Sequence, residues 1–485
     1  MRNPSTFHIS QGGSQSMRGS YDLAVVGSGP GGFAAAMTAA RRGLKVALIE
    51  RDQWGGVCLN IGCIPTKALI TVGRLKRRIQ QASRLGLKVS DVQVDYPAVM
   101  ARNERIVTTL RDGLVGLLRR LGVEMICGQA TLDDAHTLSV QHDGTTQRVC
   151  VQQIILATGA RPHPGPWGFD GVARLSYRDA LHMSSLPSSL LIIGGGVIGC
   201  EFASCFSGFG VPVTLVEQQA QMLPGEDPEA VRVLAHSLQS RGVAIHVGTT
   251  VTQMAPSASG LTATLANGST VTAERCLIAI GMIANSHGLG LESLGIDTEG
   301  GIAVNEFLLT TQPHVAAIGD CLRGHGLAHL AGAEGVLAVD NLCGSHPASL
   351  NHQLVPRGIY TDPEIAQVGV TESGAPGSAR VSRFAFAALG KALCDDEPEG
   401  FVKLIVEEAT GRILGGTIVG AHASDLIHLV VLAMSQGLTA RQLARTITAH
   451  PTWPEAVSEA ASQLYGESLS SALAARAPRN ALLHT

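Results

Sequence analysis

The chain has 485 residues, of which 45% are hydrophobic, 15% charged and only 4% aromatic, with a formal net charge of −3. At roughly 150 residues per domain it divides into about three domains, each able to bury a core, which excludes global disorder. The charge supplies no basic excess for a nucleic-acid partner, and no uninterrupted apolar run reaches the roughly 18 residues of a membrane span, so neither partner is expected. With so few aromatics, Ala, Val, Leu and Ile must fill the cores, which favours helices packed on parallel strands.

Residues 1–20 have no apolar core and are not a secretory signal. They are free of acids and carry Arg2 and Arg18, as organelle transit peptides do, but a disordered tail over 1–19 on a cytoplasmic protein is expected. Met17 is an alternative start, because the first strand is expected only from Tyr21. The ten cysteines show no zinc-finger spacing, and no metal site is expected.

Tyr21 to Val26 reads as a buried strand, Gly27-Ser28-Gly29-Pro30-Gly31-Gly32 as a turn, and Phe33 to Arg42 as a helix ended by Gly43. Lys45 to Ile49 is the next strand, with Glu50 at its end. This strand, Gly turn, helix and acid form a dinucleotide-binding pattern. Gly27 allows the tight turn, Gly29 lets a pyrophosphate approach the backbone, and Gly32 lets helix and strand pack closely. The helix N-terminus meets the phosphate charge, and Glu50 can accept the ribose hydroxyls.

The pattern recurs. Leu190 to Ile193 is a strand, Gly194-Gly195-Gly196-Val197-Ile198-Gly199 a turn, a helix follows from Cys200, and the strand Val213 to Val216 ends at Glu217. The interval from first glycine to acid is 23 residues in both copies. Gly194, Gly196, Gly199 and Glu217 thus repeat the roles of the first set. Two dinucleotide sites in one chain point to electron transfer between them.

Just after the first unit lies Gly55-Gly56-Val57-Cys58-Leu59-Asn60-Ile61-Gly62-Cys63-Ile64-Pro65-Thr66-Lys67. On an ideal helix the two cysteines would point about 140° apart, so a disulfide between them needs a distorted first turn, which Gly62 makes possible. A strained, accessible disulfide is the labile kind. Near the C-terminus, Pro451 takes His450 out of helical geometry, and Pro454 suits the first turn of a helix running through Ala460. The sharp turn between them can bring Glu455 to the His450 imidazole, making a general base near neutral pH.

Residues 55–67 closely resemble the redox segment of the flavin-dependent pyridine nucleotide–disulfide oxidoreductases, and within them the dihydrolipoyl dehydrogenases. The resemblance spans about residues 21–466 and continues through Ala157-Thr158-Gly159, Ala317-Ile318-Gly319-Asp320, Gly326-Leu327-Ala328-His329, Tyr360-Thr361-Asp362-Pro363-Glu364 and Ala449-His450-Pro451-Thr452 with Glu455. It implies FAD in the first site, with Asp320 at the ribityl chain, Ala130 on the adenine side, and Thr158, Gly159, Leu327, Ala328 and His329 lining it. It implies Lys67 at the flavin ring with Glu201. NAD takes the second site, with Val251 and Gly281 beside the glycines and Glu217. Cys58 and Cys63 become the redox disulfide, and His450 with Glu455 the base.

The fold class so implied is α/β: two Rossmann-like dinucleotide-binding domains, for FAD and NAD, plus a C-terminal α+β dimerisation domain. The FAD domain is split over 20–160 and 286–350, the NAD domain is inserted at 161–285 behind a Pro-rich linker, and 351–485 is the interface domain of a homodimer. The activity implied is oxidation of protein-bound dihydrolipoamide with reduction of NAD+. The carrier is a separate lipoylated chain of a 2-oxo acid dehydrogenase, glycine cleavage or related complex.

Two departures stand out. Thr448 replaces a second histidine that many members carry, and Gly281-Met282-Ile283-Ala284-Asn285 lacks the Arg of the usual Gly-Arg-x-Pro-Asn. Among relatives, glutathione reductases carry basic residues where Glu217 is followed by Gln218 and Gln219. Mercuric reductases end in a Cys-Cys pair, absent after Tyr465, and soluble transhydrogenases often lack the disulfide. A non-catalytic scaffold would need none of Cys58, Cys63, Lys67, Glu201, His450 and Glu455.

Overall fold

The structure, a computed structural model, describes residues 16–324, 326–344 and 347–469. Its contacts divide the chain into two units. One comprises the described residues up to Asn60 with Val107–Arg161 and Met282–Leu350; the other comprises Ile61–Ile106, Pro162–Gly281 and the described residues from Asn351.

In the first unit, four strands lie side by side in the order Glu124–Cys127, Val46–Glu50, Ser16–Val26 and Thr145–Leu156, all parallel. Thr145–Leu156 is long enough to serve two partners on its far edge. Its first half pairs antiparallel with Thr137–His142, which pairs with Gln129–Asp134. From Ile154 it runs parallel to Val315–Ala317. The strand Val46–Glu50 is buried along its whole length, as a parallel strand covered on both faces must be. Helices Pro30–Arg41 and Ala328–Cys343 pack against each other so closely that a Cβ on Gly335 would come within 2.4 Å of the Gly31 carbonyl oxygen.

The first strand begins at Ser16, five residues before its expected start at Tyr21. The chain from Ser16 to Arg18 continues the parallel pairing, opposite Gln147 to Val149, across an irregularity between Arg18 and Tyr21. The tail expected over 1–19 therefore yields its last four residues to a strand, and its remainder lies outside the described residues.

The second unit holds a parallel five-stranded sheet in the order Ala244–His246, Val213–Val216, Leu190–Ile193, Arg275–Ile278 and Arg174–Leu175. An antiparallel ribbon of Val251–Ser257, Gly260–Leu265 and Thr270–Ala273 follows in sequence. The C-terminal part is an antiparallel sheet, Arg357–Ile359, Glu364–Gly369, Ile413–Gly420, Gly400–Glu407 and Ala379–Ala385. Helices Ala423–Ser435 and Glu455–Gln463 share an apolar core with it through Ile427, Val430, Val457 and Ala460 against Val402, Leu404 and Ile418. The two parallel nucleotide folds and the C-terminal α+β part are those expected.

Gly56–Gln80 is apolar and long enough to cross a bilayer by length and composition, although charged residues interrupt its apolar run. Part of it is buried in the fold. A Cβ on Gly208 of helix Val197–Phe209 would lie 3.0 Å from the Gly73 Cα, so the two helices touch backbone to backbone.

Candidate active site

The first glycine turn has the geometry its residue types require. Gly27 has φ of +101°, and a Cβ there would strike the Ala157 carbonyl oxygen at 2.2 Å. A Cβ on Gly32 would sit 1.8 Å from the Gly27 carbonyl oxygen, whereas one on Gly29 meets nothing within 4 Å. Gly29 thus leaves open space at the N-terminus of helix Pro30–Arg41, where a pyrophosphate can approach backbone N–H groups. Glu50 is buried and accepts hydrogen bonds from the Ser28 N–H (2.9 Å), the Ser28 hydroxyl (2.7 Å) and the Asp52 N–H (3.0 Å).

Ser28 also ties the turn to the cysteine segment, because its Oγ accepts from the Gly55 N–H at 3.0 Å. Gly56, at φ +65°, packs so that a Cβ would lie 2.6 Å from the Gly29 Cα. Helix Gly56–Ile61, which carries Cys58, therefore starts directly against the first nucleotide turn. Gly62 then breaks the helix with φ −136° and ψ −111°, and Cys63 opens the next helix, Cys63–Gln80. Both cysteines are half-buried.

The second turn repeats the first. Gly194 has φ of +104° and its Cβ would meet the Ala279 carbonyl oxygen at 2.3 Å. A Cβ on Gly199 would meet the Gly194 carbonyl oxygen at 1.9 Å, and Gly196 again faces open space. Glu217 is buried and accepts from the Gly195 N–H (2.6 Å) and the Gln219 N–H (2.7 Å). Val251 is buried at the start of the ribbon, and the Gly281 carbonyl accepts from the His163 N–H at 3.0 Å.

Lys67 donates to both oxygens of Glu201, at 2.9 and 2.8 Å. Glu201 is the more deeply placed partner, with 6% of its side chain exposed against 31% for Lys67. A carboxylate so buried needs its cation. The Tyr360 N–H donates to Glu201 at 3.1 Å, and the Tyr360 ring lies 4.6 Å beneath the Lys67 ammonium. The phenol also lies within electrostatic reach of Cys63. In the sequence Tyr360 stands only as part of a motif, and its place directly before Thr361-Asp362-Pro363 is the one signal of this role.

Thr158 donates its hydroxyl to the Asn285 carbonyl at 2.7 Å, and Gly159 turns the chain at φ +68°. Asp320 is accessible from solvent, yet the surrounding protein raises its carboxyl above the usual carboxylate range. Gly326 closes on it, since a Cβ there would overlap the carboxylate. Ala130 is buried in Gln129–Asp134, and Leu327, Ala328 and His329 form the cap and first turn of Ala328–Cys343. At the other end of the chain, the His450 Nδ1 and Glu455 Oε1 are 2.8 Å apart, with 78% of the imidazole side chain exposed. Glu455 is fixed by the Thr452 N–H on its other oxygen, at 2.6 Å.

Residues 21–335 match the model of the pyridine nucleotide-disulphide oxidoreductases, and residues 355–461 match the dimerisation domain of the same name. The chain belongs to this family. It is 39% identical over 452 residues to a dihydrolipoyl dehydrogenase of Chlorobaculum tepidum, covering 91% of this chain and 96% of the relative. It is 37% identical to one of Bacillus subtilis, covering 93% and 99%. Among solved structures, LpdA from Mycobacterium tuberculosis superposes with a TM-score of 0.87 at 30% identity, covering 91% of this chain and 99% of that one. The HOCl-induced flavoprotein disulfide reductase RclA from Escherichia coli superposes at 0.82 with 28% identity, covering 91% and 99%.

Membership makes the chain an FAD-containing, NAD-dependent disulfide oxidoreductase whose C-terminal part is a dimerisation domain. Its residues fit both dinucleotides. Each glycine turn leaves open backbone where a pyrophosphate would sit, each carboxylate is held at the end of its second strand, and Asp320 offers an accessible, crowded acceptor to a hydroxyl-rich chain.

Proposed function

We propose that the chain is a dihydrolipoyl dehydrogenase that oxidises protein-bound dihydrolipoamide to lipoamide and reduces NAD+ to NADH. The observation that carries this reading is the His450–Glu455 pair. A carboxylate on Nδ1 places the ring proton there and leaves Nε2 as the acceptor, the arrangement of a base for thiols. Relatives that bear the name dihydrolipoyl dehydrogenase over nearly their full length support the same substrate.

His450 Nε2 takes a proton from one substrate thiol. The thiolate attacks Cys58 Sγ in a Cys58–Cys63 disulfide, and Cys63 leaves as a thiolate. The second substrate thiol then displaces Cys58, its proton passing to the departing Cys58 thiolate, which releases cyclic lipoamide and leaves two electrons on the cysteine pair. Bound FAD supplies the two-electron relay from that pair to NAD+. Gly27, Gly29, Gly32, Glu50, Ala130, Thr158, Gly159, Asp320, Leu327, Ala328 and His329 would hold FAD. Lys67, paired with Glu201, would place a cation near the ring and stabilise its electron-rich reduced form. Gly194, Gly196, Gly199, Glu217, Val251 and Gly281 would hold NAD. The carrier is a lipoylated chain of a 2-oxo acid dehydrogenase, glycine cleavage or related complex, and the enzyme works as a cytoplasmic homodimer.

The test is NADH formation from dihydrolipoamide and NAD+, set against glutathione disulfide with NADPH. Wild type should turn over only the first pair. His450→Gln should lower that rate about a hundredfold or more, in the range of a lost general base. Its transfer of electrons from NADH to ferricyanide, which needs no thiol, should be unchanged. Turnover of glutathione disulfide but not dihydrolipoamide would overturn the reading.

A further inference from the structure

The base pair sits on a segment with little buried surface of its own. Between Ala449 and Glu455, Trp453 is the buried residue, with 7% of its surface exposed. It packs edge-on to Phe386 at 5.1 Å between ring centroids and lies 5.3 Å from the His422 ring. Its indole N–H donates to Asp395 Oδ2 at 3.1 Å. Asp395 is itself fixed, because Lys391 donates to its other oxygen at 2.8 Å. That lysine, with the indole, holds the carboxyl below the usual carboxylate range. The indole bond is therefore charge-assisted at neutral pH.

Trp453 lies three residues after His450 and two before Glu455. On one side, Thr452 is tied to both flanks of the segment: its hydroxyl donates to the Ala449 carbonyl at 2.6 Å and its N–H to Glu455. On the other, helix Glu455–Gln463 begins directly after Pro454. Any tilt of the indole moves both members of the pair, because both hang on backbone that Trp453 anchors. We propose that Trp453 is a positioning residue for the His450–Glu455 base and acts through its indole N–H on Asp395.

The inference rests on the role given above to His450 and extends it to a side chain whose contacts are Phe386, His422 and Asp395. It predicts a specific pattern. Trp453→Phe keeps the ring against Phe386 and His422 and removes only the N–H. Asp395→Ala removes the acceptor. A loosened base costs rate in the step that moves the thiol proton, and a displacement of about 1 Å is enough for a loss of roughly tenfold or more. NAD+ binding and thiol-independent electron transfer involve neither residue.

The experiment measures, for wild type, Trp453→Phe, Asp395→Ala, Asp395→Asn and the double variant, kcat with dihydrolipoamide, the KM for NAD+, and the NADH–ferricyanide rate. It also measures the rate at which iodoacetamide captures Cys58 in the dithiol-reduced enzyme, a reaction that needs no lipoyl substrate and that the proposed base should speed by drawing off the thiol proton. Expected is a fall of roughly tenfold in kcat and in Cys58 capture for Trp453→Phe and for Asp395→Ala. The KM and the ferricyanide rate should be unchanged, and the double variant should be no worse than either single one. Asp395→Asn, whose amide oxygen still accepts the indole N–H, should recover most of the rate. Multiplying losses in the double variant, equal losses in the ferricyanide reaction, or unchanged kcat and capture rates would each overturn the proposal. A wild type that captures iodoacetamide in this pattern but does not oxidise dihydrolipoamide would overturn the substrate and leave the positioning role standing.

Discussion

At the scale of single residues, the two acids that end the second strand of each nucleotide unit show how a side chain is committed before its ligand arrives. Glu217 already receives the Gly195 and Gln219 N–H groups, so its carboxylate cannot swing away from whatever occupies the turn. Ribose hydroxyls can use its remaining lone pairs; a 2′-phosphate would meet fixed negative charge. Two like charges about 4 Å apart repel by about 4 kcal/mol at an effective dielectric near 20, before salt screens part of it. NAD+ should therefore exceed NADP+ in kcat/KM by at least about a hundredfold, and Glu217→Ala should shrink the ratio chiefly by improving NADP+. Steady-state kinetics with both cofactors checks this, and equal values in the wild type would refute it. Met282, where an Arg is usual, bears on absolute affinity and leaves this ratio to Glu217.

Elements were legible in the sequence where their cause is local. Gly27, Gly32, Gly194 and Gly199 announce turns because any Cβ there strikes a named carbonyl, and the helix break between Cys58 and Cys63 follows from Gly62. The His450–Glu455 contact could be read because two prolines fix the chain between them. What stayed hidden depends on residues remote in sequence. The strand extension to Ser16 needs Gln147 to Val149 as its partner, and Trp453 finds Asp395 across more than fifty positions. Lys403 is the clearest case. It lies in the middle of strand Gly400–Glu407 with 3% of its side chain exposed, and bonds Asp227 (2.9 Å), Glu372 (2.7 Å) and Glu229 (3.1 Å). Burial alone would lower its pKa, but the bonds to Glu372, Asp227 and Glu229 outweigh burial and raise it. Because the folded value lies above the unfolded one, the stability Lys403 contributes is complete below the ordinary lysine value of 10.5 and is lost as pH rises through the raised value. Lys403→Met should cost about 3 kcal/mol at pH 7, by leaving buried Asp227 without its cation, and should flatten the alkaline limb of the denaturation profile. Chemical denaturation at pH 7 and 11 measures both.

The helix crossing at Gly73 and Gly208 carries the same lesson into function. The helices that meet there also carry Lys67 and Glu201. Gly208→Val would force the backbones apart, at a cost of about 1–3 kcal/mol in overpacking. A shifted flavin absorption maximum should accompany the lower melting temperature if Lys67 lies at the ring. A drop in melting temperature with an unaltered flavin spectrum would separate the crossing from the site.

For the whole molecule, the decisive question is which subunit's base serves which cysteines. The cysteines lie just after the first glycine-turn unit and His450 lies near the end of the dimerisation domain, nearly four hundred residues later. By resemblance to the family's dimers, each site should combine the cysteines of one subunit with the base of the other. Two inactive variants, Cys63→Ala and His450→Gln, are expressed together with different tags, and the mixed dimer is isolated by both. If the base acts in trans, one site of the mixed dimer carries both lesions and the other carries none, so the mixed dimer should show about half of wild-type activity by its two-fold symmetry. If base and cysteines belong to one subunit, both sites of the mixed dimer stay damaged, and its dihydrolipoamide activity remains at the level of the two separate variants. That second outcome, with both tags confirmed in the isolated dimer by mass, would rule out the shared site.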